Sequence, residues 1–522
     1  MRKKMEITRL STGVPGLDEV LGGGLPEFSF NLIAGEPGCG KTTLAHQIMF
    51  SLASPDRSAL FLTILGEPPI KMLRYQQQFD FFDEAAINWS IRFVNLSEET
   101  LTGDLDLVLR RIIEEVKMHE PALVFIDSFR PVMRVSSPQT EDVHSRLEGF
   151  VQQLGVTMTS WQATSFLIGE YVEPGDSNPV FTVADGLIWL RQSSHRDSMV
   201  RKIEIVKMRG QATIPGQHPF RISNQGIRIY APVPALEIEG EDDDHAPRLL
   251  FGISRLDEML GGGLPRGCSL LIAGPSGSGK SILAAEFLAE GARVGETSVV
   301  AAFEQRPTKK RLNPRLANLI ADKSVSVINT GRPDLSVDEI IVLLVNEIHR
   351  TKATRVLLDS LSGFELALAS TFRDEFKESM LRLVNTLTDT GAAVVVTCEL
   401  EDRYSDLRFS PYGTAFLTDA IIVQRYIEVE SRLRRVMAVV KVRASGHSDE
   451  LREYTIEKDG IRIGEMLVEQ EGLLGGRPTK RHDAPPVTLG DKTGGQARGC
   501  YVIPYQSICG YIFQKQPRLA GW

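Results

Sequence analysis

GEPGCGKTTL at residues 35–44 and GPSGSGKSIL at residues 274–283 are the two stretches that decide the fold. Each reads Gly-x-x-x-x-Gly-Lys-Ser/Thr. This spacing lets successive backbone N–H groups turn inward around a phosphate chain. Glycine permits the backbone angles and the close approach, and the helix that follows presents its positive end to the anion. A chance match is expected in roughly one chain of this length in 50. Two matches at equivalent points of a repeat point to two phosphate loops. The candidate residues are Gly35, Gly38, Gly40, Lys41, Thr42 and Thr43 in the first loop, and Gly274, Gly277, Ser278, Gly279, Lys280, Ser281 and Ile282 in the second. Lys41 and Lys280 are placed to reach β- and γ-phosphates, and the hydroxyls of Thr42 and Ser281 to ligate Mg²⁺.

The context of each loop repeats as well. GVPGLDEVLGGGLPEFSFNLIAGEPGCGKTTL (13–44) matches GISRLDEMLGGGLPRGCSLLIAGPSGSGKSIL (252–283), so Gly13 aligns with Gly252 and Lys41 with Lys280. A repeat of this length is a whole domain duplicated. The expected division is a first domain at 1–232, an acidic linker at 233–247, a second domain at 248–470 and a disordered tail at 471–522. The linker reading rests on the GEDDD run beside prolines, and the tail reading on its Gly, Pro and charge content.

In each copy a short apolar run precedes the loop and a helix-like segment follows it. FNLIAG, ALFLTIL, ALVFID, SFLIGEY and GLIWL in the first copy have counterparts LLIAG, SVVAAFE, RVLLD, AAVVVTCE and AIIVQ in the second. Nearly continuous apolar strands alternating with helices predict an α/β fold, with mainly parallel sheets covered on both faces.

Composition limits the function classes. The 522 residues are 42% hydrophobic and 24% charged, as in a globular chain. The net charge of −8 counts against broad binding to nucleic acid or anionic membrane. No apolar run approaches the roughly 20 residues that span a bilayer. Five scattered cysteines form neither a zinc spacing nor a disulfide framework. A cytoplasmic location is the expectation.

Other residues fit phosphate chemistry. ALVFID and RVLLD end in Asp127 and Asp359, the Walker B position that serves Mg²⁺. A carboxylate at the end of the strand after the phosphate-loop helix is the natural activator of water. Glu304 in AAFEQRP holds that place, and Glu67 in TILGEPP sits slightly later. Lys207-x-Arg209 and Lys441-x-Arg443 occupy matching late positions. Alternating cations on a strand share a face. They suit either a γ-phosphate held across a subunit boundary or an exposed strand that keeps a sheet edge soluble.

These motifs together resemble the KaiC family of tandem RecA-like P-loop ATPases, from about Leu10 to Gly464. The resemblance includes LDE-x-LGGGLP, both loops, both Walker B strands, both Lys-x-Arg elements and the segment TDAIIVQRYIEVESRLRRVMAVVKVRASGHSDELREYTI. It implies two RecA-like domains, a hexamer with ATP and Mg²⁺ between adjacent subunits, and a nucleotide-driven signalling switch acting on an unknown protein partner. It also implies that Lys207, Arg209, Lys441, Arg443 and His447 face ATP, and that the first domain hydrolyses it slowly. In clock members the second domain phosphorylates and dephosphorylates itself. Two departures bear on this. Leu65-Gly66 stand where the family carries paired glutamates, and Gln305 follows Glu304. Ala415-Phe416 replace the phosphorylated Ser-Thr pair, leaving Thr414 and Thr418 as nearby hydroxyls. The competing expectations are a Ser/Thr kinase, a nucleic-acid motor, and a module in which ATP only holds a ring together.

Overall fold

The architecture is one sheet plan built twice. The structure is a computed structural model. It describes residues 7–64, 69–97, 104–127, 141–171, 179–195, 198–233, 247–303, 314–329, 335–368, 376–400, 417–429, 431–443, 445–458, 460–467, 470–471 and 479–480. Both sheets lie within one compact unit, Met1–Thr479.

The first sheet has β1 (Phe30–Gly35), β2 (Ala59–Thr63), β3 (Ile91–Asn95), β4 (Leu123–Asp127), β5 (Thr164–Glu170), β6 (Gly186–His195), β7 (Ser198–Met208), β8 (Gln217–Ser223) and β9 (Gly226–Ile229). Across the sheet the order is β3-β2-β4-β5-β1-β6-β7-β8-β9. The pairings from β3 to β6 are parallel, and β7, β8 and β9 are added antiparallel. The second sheet has β10 (Ser269–Gly274), β11 (Ser298–Ala302), β12 (Val325–Asn329), β13 (Arg355–Asp359), β14 (Ala393–Glu399), β15 (Ala420–Val429), β16 (Arg432–Val442), β17 (Arg452–Glu457) and β18 (Gly460–Met466). Its order, β12-β11-β13-β14-β10-β15-β16-β17-β18, repeats the first strand for strand. The expected mainly parallel α/β fold is therefore present in both copies.

Strand sequence explains the layering. Every residue of β1 is buried, because helices cover both faces and period-two alternation sends neighbours to opposite cores. Ile33, with Phe61 and Phe125, packs against Leu44 and Ile48 of α1 (Lys41–Leu52). Leu32, with Leu60 and Val124, packs on the other side against Ile112 of α2 (Leu105–His119) and Leu154 of α3 (Glu141–Ser160). In the second copy Ile272 faces Leu283 and Phe287 of α4 (Lys280–Arg293). Leu271 faces Leu344 of α5 (Val337–Thr351) and Leu383 of α6 (Phe376–Thr388). The starts of α2 and α5 are capped by Asp104 and Ser336, whose side chains accept N–H groups of the first turn.

This plan gives each sheet two functional edges. The parallel strands all run toward the phosphate-loop edge, where β1 ends at Gly35 and β4 at Asp127. Their starting ends form the opposite edge.

Candidate functional site

The loop geometry follows from glycine at a position no other residue fills easily. Gly40 has φ +107°, and a Cβ there would stand 2.8 Å from Ile222 Cδ1 on β8. Gly279 has φ +104°, and its Cβ would stand 2.8 Å from Ile456 Cδ1 on β17. Each turn delivers its lysine as the first residue of the helix. Lys41 Nζ donates to Glu36 O at 2.7 Å, and Lys280 Nζ to Gly274 O and Pro275 O, both at 2.9 Å.

The hydroxyl after each lysine meets the strand-ending aspartate. Thr42 Oγ1 donates to Asp127 Oδ2 at 2.8 Å. Ser281 Oγ donates to Asp359 Oδ1 at 3.3 Å, and Thr397 Oγ1 donates to the same oxygen. An open cavity of about 360 Å³ lies over the first loop, lined by Gly38, Gly40, Lys41, Thr42, Thr43, Asp127 and Glu170 among others. That volume is within the range of small-molecule clefts. Two oxygen donors beside it suit Mg²⁺, a hard cation that keeps several waters and takes other ligands from substrate phosphates. Among the described residues no cluster of three or more His, Cys, Asp or Glu forms a self-sufficient metal cage.

The Lys-x-Arg pairs stand at the other edge of each sheet. Lys207 is on β7, between β6 and β8, so the strand is interior to the sheet and does not serve as its soluble edge. Arg209 and Arg443 lie just past the ends of β7 and β16. Lys207 and Arg209 come together because both donate to Thr182 O, at 3.1 and 3.4 Å. Lys441 Nζ donates to Thr418 O at 2.6 Å. Burial, and then the neighbouring arginine, holds both lysines below their ordinary pKa, while Asp185 and Asp419 pull the other way. Arg209 Nη1 pairs with Asp185, which accepts from Phe30 N at the start of β1. β1 is six residues long, so these cations are roughly 17 Å from the loop of their own sheet.

Two matching loop, hydroxyl and aspartate sets on a duplicated sheet agree with the comparison of the chain with known families. The model of the KaiC ATPase family matches residues 10–233 and again 250–468.

The chain belongs to the KaiC family of ATPases.

It resembles "Circadian clock protein KaiC3" of Synechocystis sp., with 28% identity over 495 residues, covering 90% of this chain and 95% of the relative. It also resembles "Circadian clock oscillator protein KaiC" of Picosynechococcus sp., with 26% identity over 489 residues, covering 91% and 93%. "Circadian clock oscillator protein KaiC 1" of Synechocystis sp. is 26% identical over 493 residues, covering 91% and 92%.

Within this KaiC-family chain the anticipated residues fare differently. Glu67, Glu304 and Thr414 lie outside the described residues, as do Leu65-Gly66, Gln305 and Ala415-Phe416. Nearly all of the expected linker and tail does too. Ile282 is half-buried and packs against the core below the loop. His447 is exposed. Thr418 is buried, and its hydroxyl has no partner among the described residues.

Sequence reading missed Glu170, Ile222, Ile456 and the aspartates Asp185 and Asp419. Glu170 pairs with Gly35 across β5 and β1, and Glu399 with Gly274 across β14 and β10. Both carboxylates therefore end a strand beside a phosphate loop. The signal was in SFLIGEY and AAVVVTCE, which carry a glutamate next to and at their ends.

Among the described residues no helix is long and apolar enough to cross a membrane.

Proposed function

We propose that this KaiC-family ATPase works as a hexameric ring in which ATP is bound and hydrolysed between neighbours and the nucleotide state signals to another protein. The observation that carries the reading is the separation of each loop from its own Lys-x-Arg pair by the length of a strand. One chain supplies phosphate binding at one edge and cations at the other, and an adjacent subunit completes each site.

In this reading residues 1–232 and 248–470 are the two ATP-binding units. Lys41 and Lys280 hold the β- and γ-phosphates, and backbone N–H groups of the loops cradle them. Thr42, Asp127, Ser281 and Asp359 would hold Mg²⁺ and its waters, which would neutralise phosphate charge. Glu304 activates water in the second unit, and Glu67 serves the first. Lys207, Arg209, Lys441, Arg443 and His447 face a neighbour's ATP.

The kinase reading has less support. Thr418 is buried in this conformation, and its hydroxyl must emerge to accept phosphate.

The test uses ATP labelled at the γ-phosphate with wild type, Lys41→Ala and Lys280→Ala. Free phosphate released by wild type and reduced in a variant supports hydrolysis and names the working unit. Label on the protein would replace this reading with the kinase. Undiminished release from the double variant would sink the assignment of the loops.

A further inference from the structure

Arg209 and Arg443, the arginines proposed to face a neighbour's ATP, share one kind of support. Asp185 stands directly before β6, and Asp419 directly before β15. One carboxylate oxygen of Asp185 accepts from Phe30 N, at 3.0 Å, and the other from Arg209 Nη1, at 3.1 Å. Asp419 repeats this: one oxygen accepts from Ser269 N at 2.9 Å and the other from Arg443 Nη1 at 3.2 Å. The backbone closes the same ring, because Arg209 N donates to Asp185 O and Arg443 N to Asp419 O, both at 2.9 Å.

Stability alone does not explain the arrangement. The arginine side chains are 58% and 56% exposed, and exposed ion pairs contribute little to folding. What the pair does supply is direction. An arginine has a long side chain with many rotamers, and ordering it costs entropy at the moment it is used. A carboxylate anchored to the first residue of the phosphate-loop strand fixes one edge of the guanidinium before any neighbour arrives.

We infer that Asp185 and Asp419 are positioning residues that preset Arg209 and Arg443 for the ATP of the adjacent subunit. The inference rests on the proposed sharing of sites between neighbours. Asn is the informative substitution. Its side-chain oxygen keeps the bond from Phe30 N or Ser269 N, while its amide cannot accept from arginine.

The experiment mixes subunits. One partner is Lys41→Ala/Lys280→Ala, with dead loops and intact cations. The other is Asp185→Asn/Asp419→Asn, with intact loops. Arg209→Ala/Arg443→Ala replaces the aspartate variant in a parallel mixture. Alone, the aspartate variant should lose tenfold or more in kcat with KM for ATP nearly unchanged. Mixing should restore turnover in both cases, because intact loops then meet intact cations. Wild-type kcat in the aspartate variant alone overturns the proposal. Recovery in the arginine mixture but not in the aspartate mixture also overturns it, since the defect then lies in the variant's own fold. Failure to recover in both mixtures removes the sharing of sites, and the positioning role falls with it.

Discussion

Arg221 of the first repeat donates its Nε to both carboxylate oxygens of Glu339 in the second, at 2.8 and 2.7 Å. Tyr230 OH adds a third bond to Glu339, at 3.3 Å, and burial followed by the Glu339 charge pushes the tyrosine pKa up to about 12. Glu339 is buried near the start of α5, so this contact ties β8 of one sheet to a helix of the other. Removing one partner of a buried pair leaves a charge that water cannot reach. Arg221→Met should therefore destabilise the chain by about 1–3 kcal/mol. In a double-mutant cycle, adding Glu339→Gln should cost less than it does alone, read by urea denaturation.

The two loops are backed by different side-chain pairs. Ser278 Oγ donates to Gln424 Oε1 at 2.9 Å, and Gln424 Nε2 is buried with no partner among the described residues. Cys39 and Leu190 hold the equivalent places in the first repeat, within one apolar cluster. Ser278→Ala leaves the whole buried amide unpaired and should cost about 1–3 kcal/mol. Ser278→Cys with Gln424→Leu rebuilds the first repeat's pair and should stay within about 1 kcal/mol of wild type. Thermal unfolding of both variants decides this.

His46 lies inside the first core, 4.6 Å between ring centroids from Phe61. Burial lowers its pKa to about 3. The folded value is below the unfolded one of about 6.5, so the unfolded chain takes up the proton first. Stability from neutral His46 is fully present above pH 6.5 and is lost as pH falls from 6.5 toward 3. The loss approaches about 1.4 kcal/mol per pH unit. His46→Met should lose about 1 kcal/mol less than wild type between pH 7.5 and 5.5. Parallel slopes of stability against pH for the two proteins would refute it.

Gly279→Ala should remove ATP binding from the second loop, because a Cβ there meets Ile456. Adding Ile456→Ala clears space without relieving the positive φ, which for a non-glycine residue still costs about 1–3 kcal/mol. Titration with a fluorescent ATP analogue should show no binding at the second loop in the single variant, and at most partial recovery in the double.

The parallel strands were legible because burial on both faces leaves an almost unbroken apolar run, as in FNLIAG and RVLLD. β3 escaped because it is an edge strand, with Ile91 buried but Arg92 exposed. Its mixed pattern resembles a loop. The loops were readable from spacing, and Asp127 and Asp359 from the ends of their apolar strands, where the structure sets Thr42 and Ser281 against them. Asp185 was not, because its meaning depends on Phe30, 155 residues away, and no local pattern carries that distance. Glu170 needed the strand register, which places it level with Gly35.

Gly35 and the Arg209–Asp185 pair at opposite ends of β1 give each repeat a head and a tail. In the proposed sharing of sites, a head-to-tail contact that repeats and closes into a ring leaves no site without its neighbour. Specific activity then ceases to be a constant of the polypeptide. It becomes a count of how many neighbours each chain has found, so dilution should extinguish turnover while every chain remains folded.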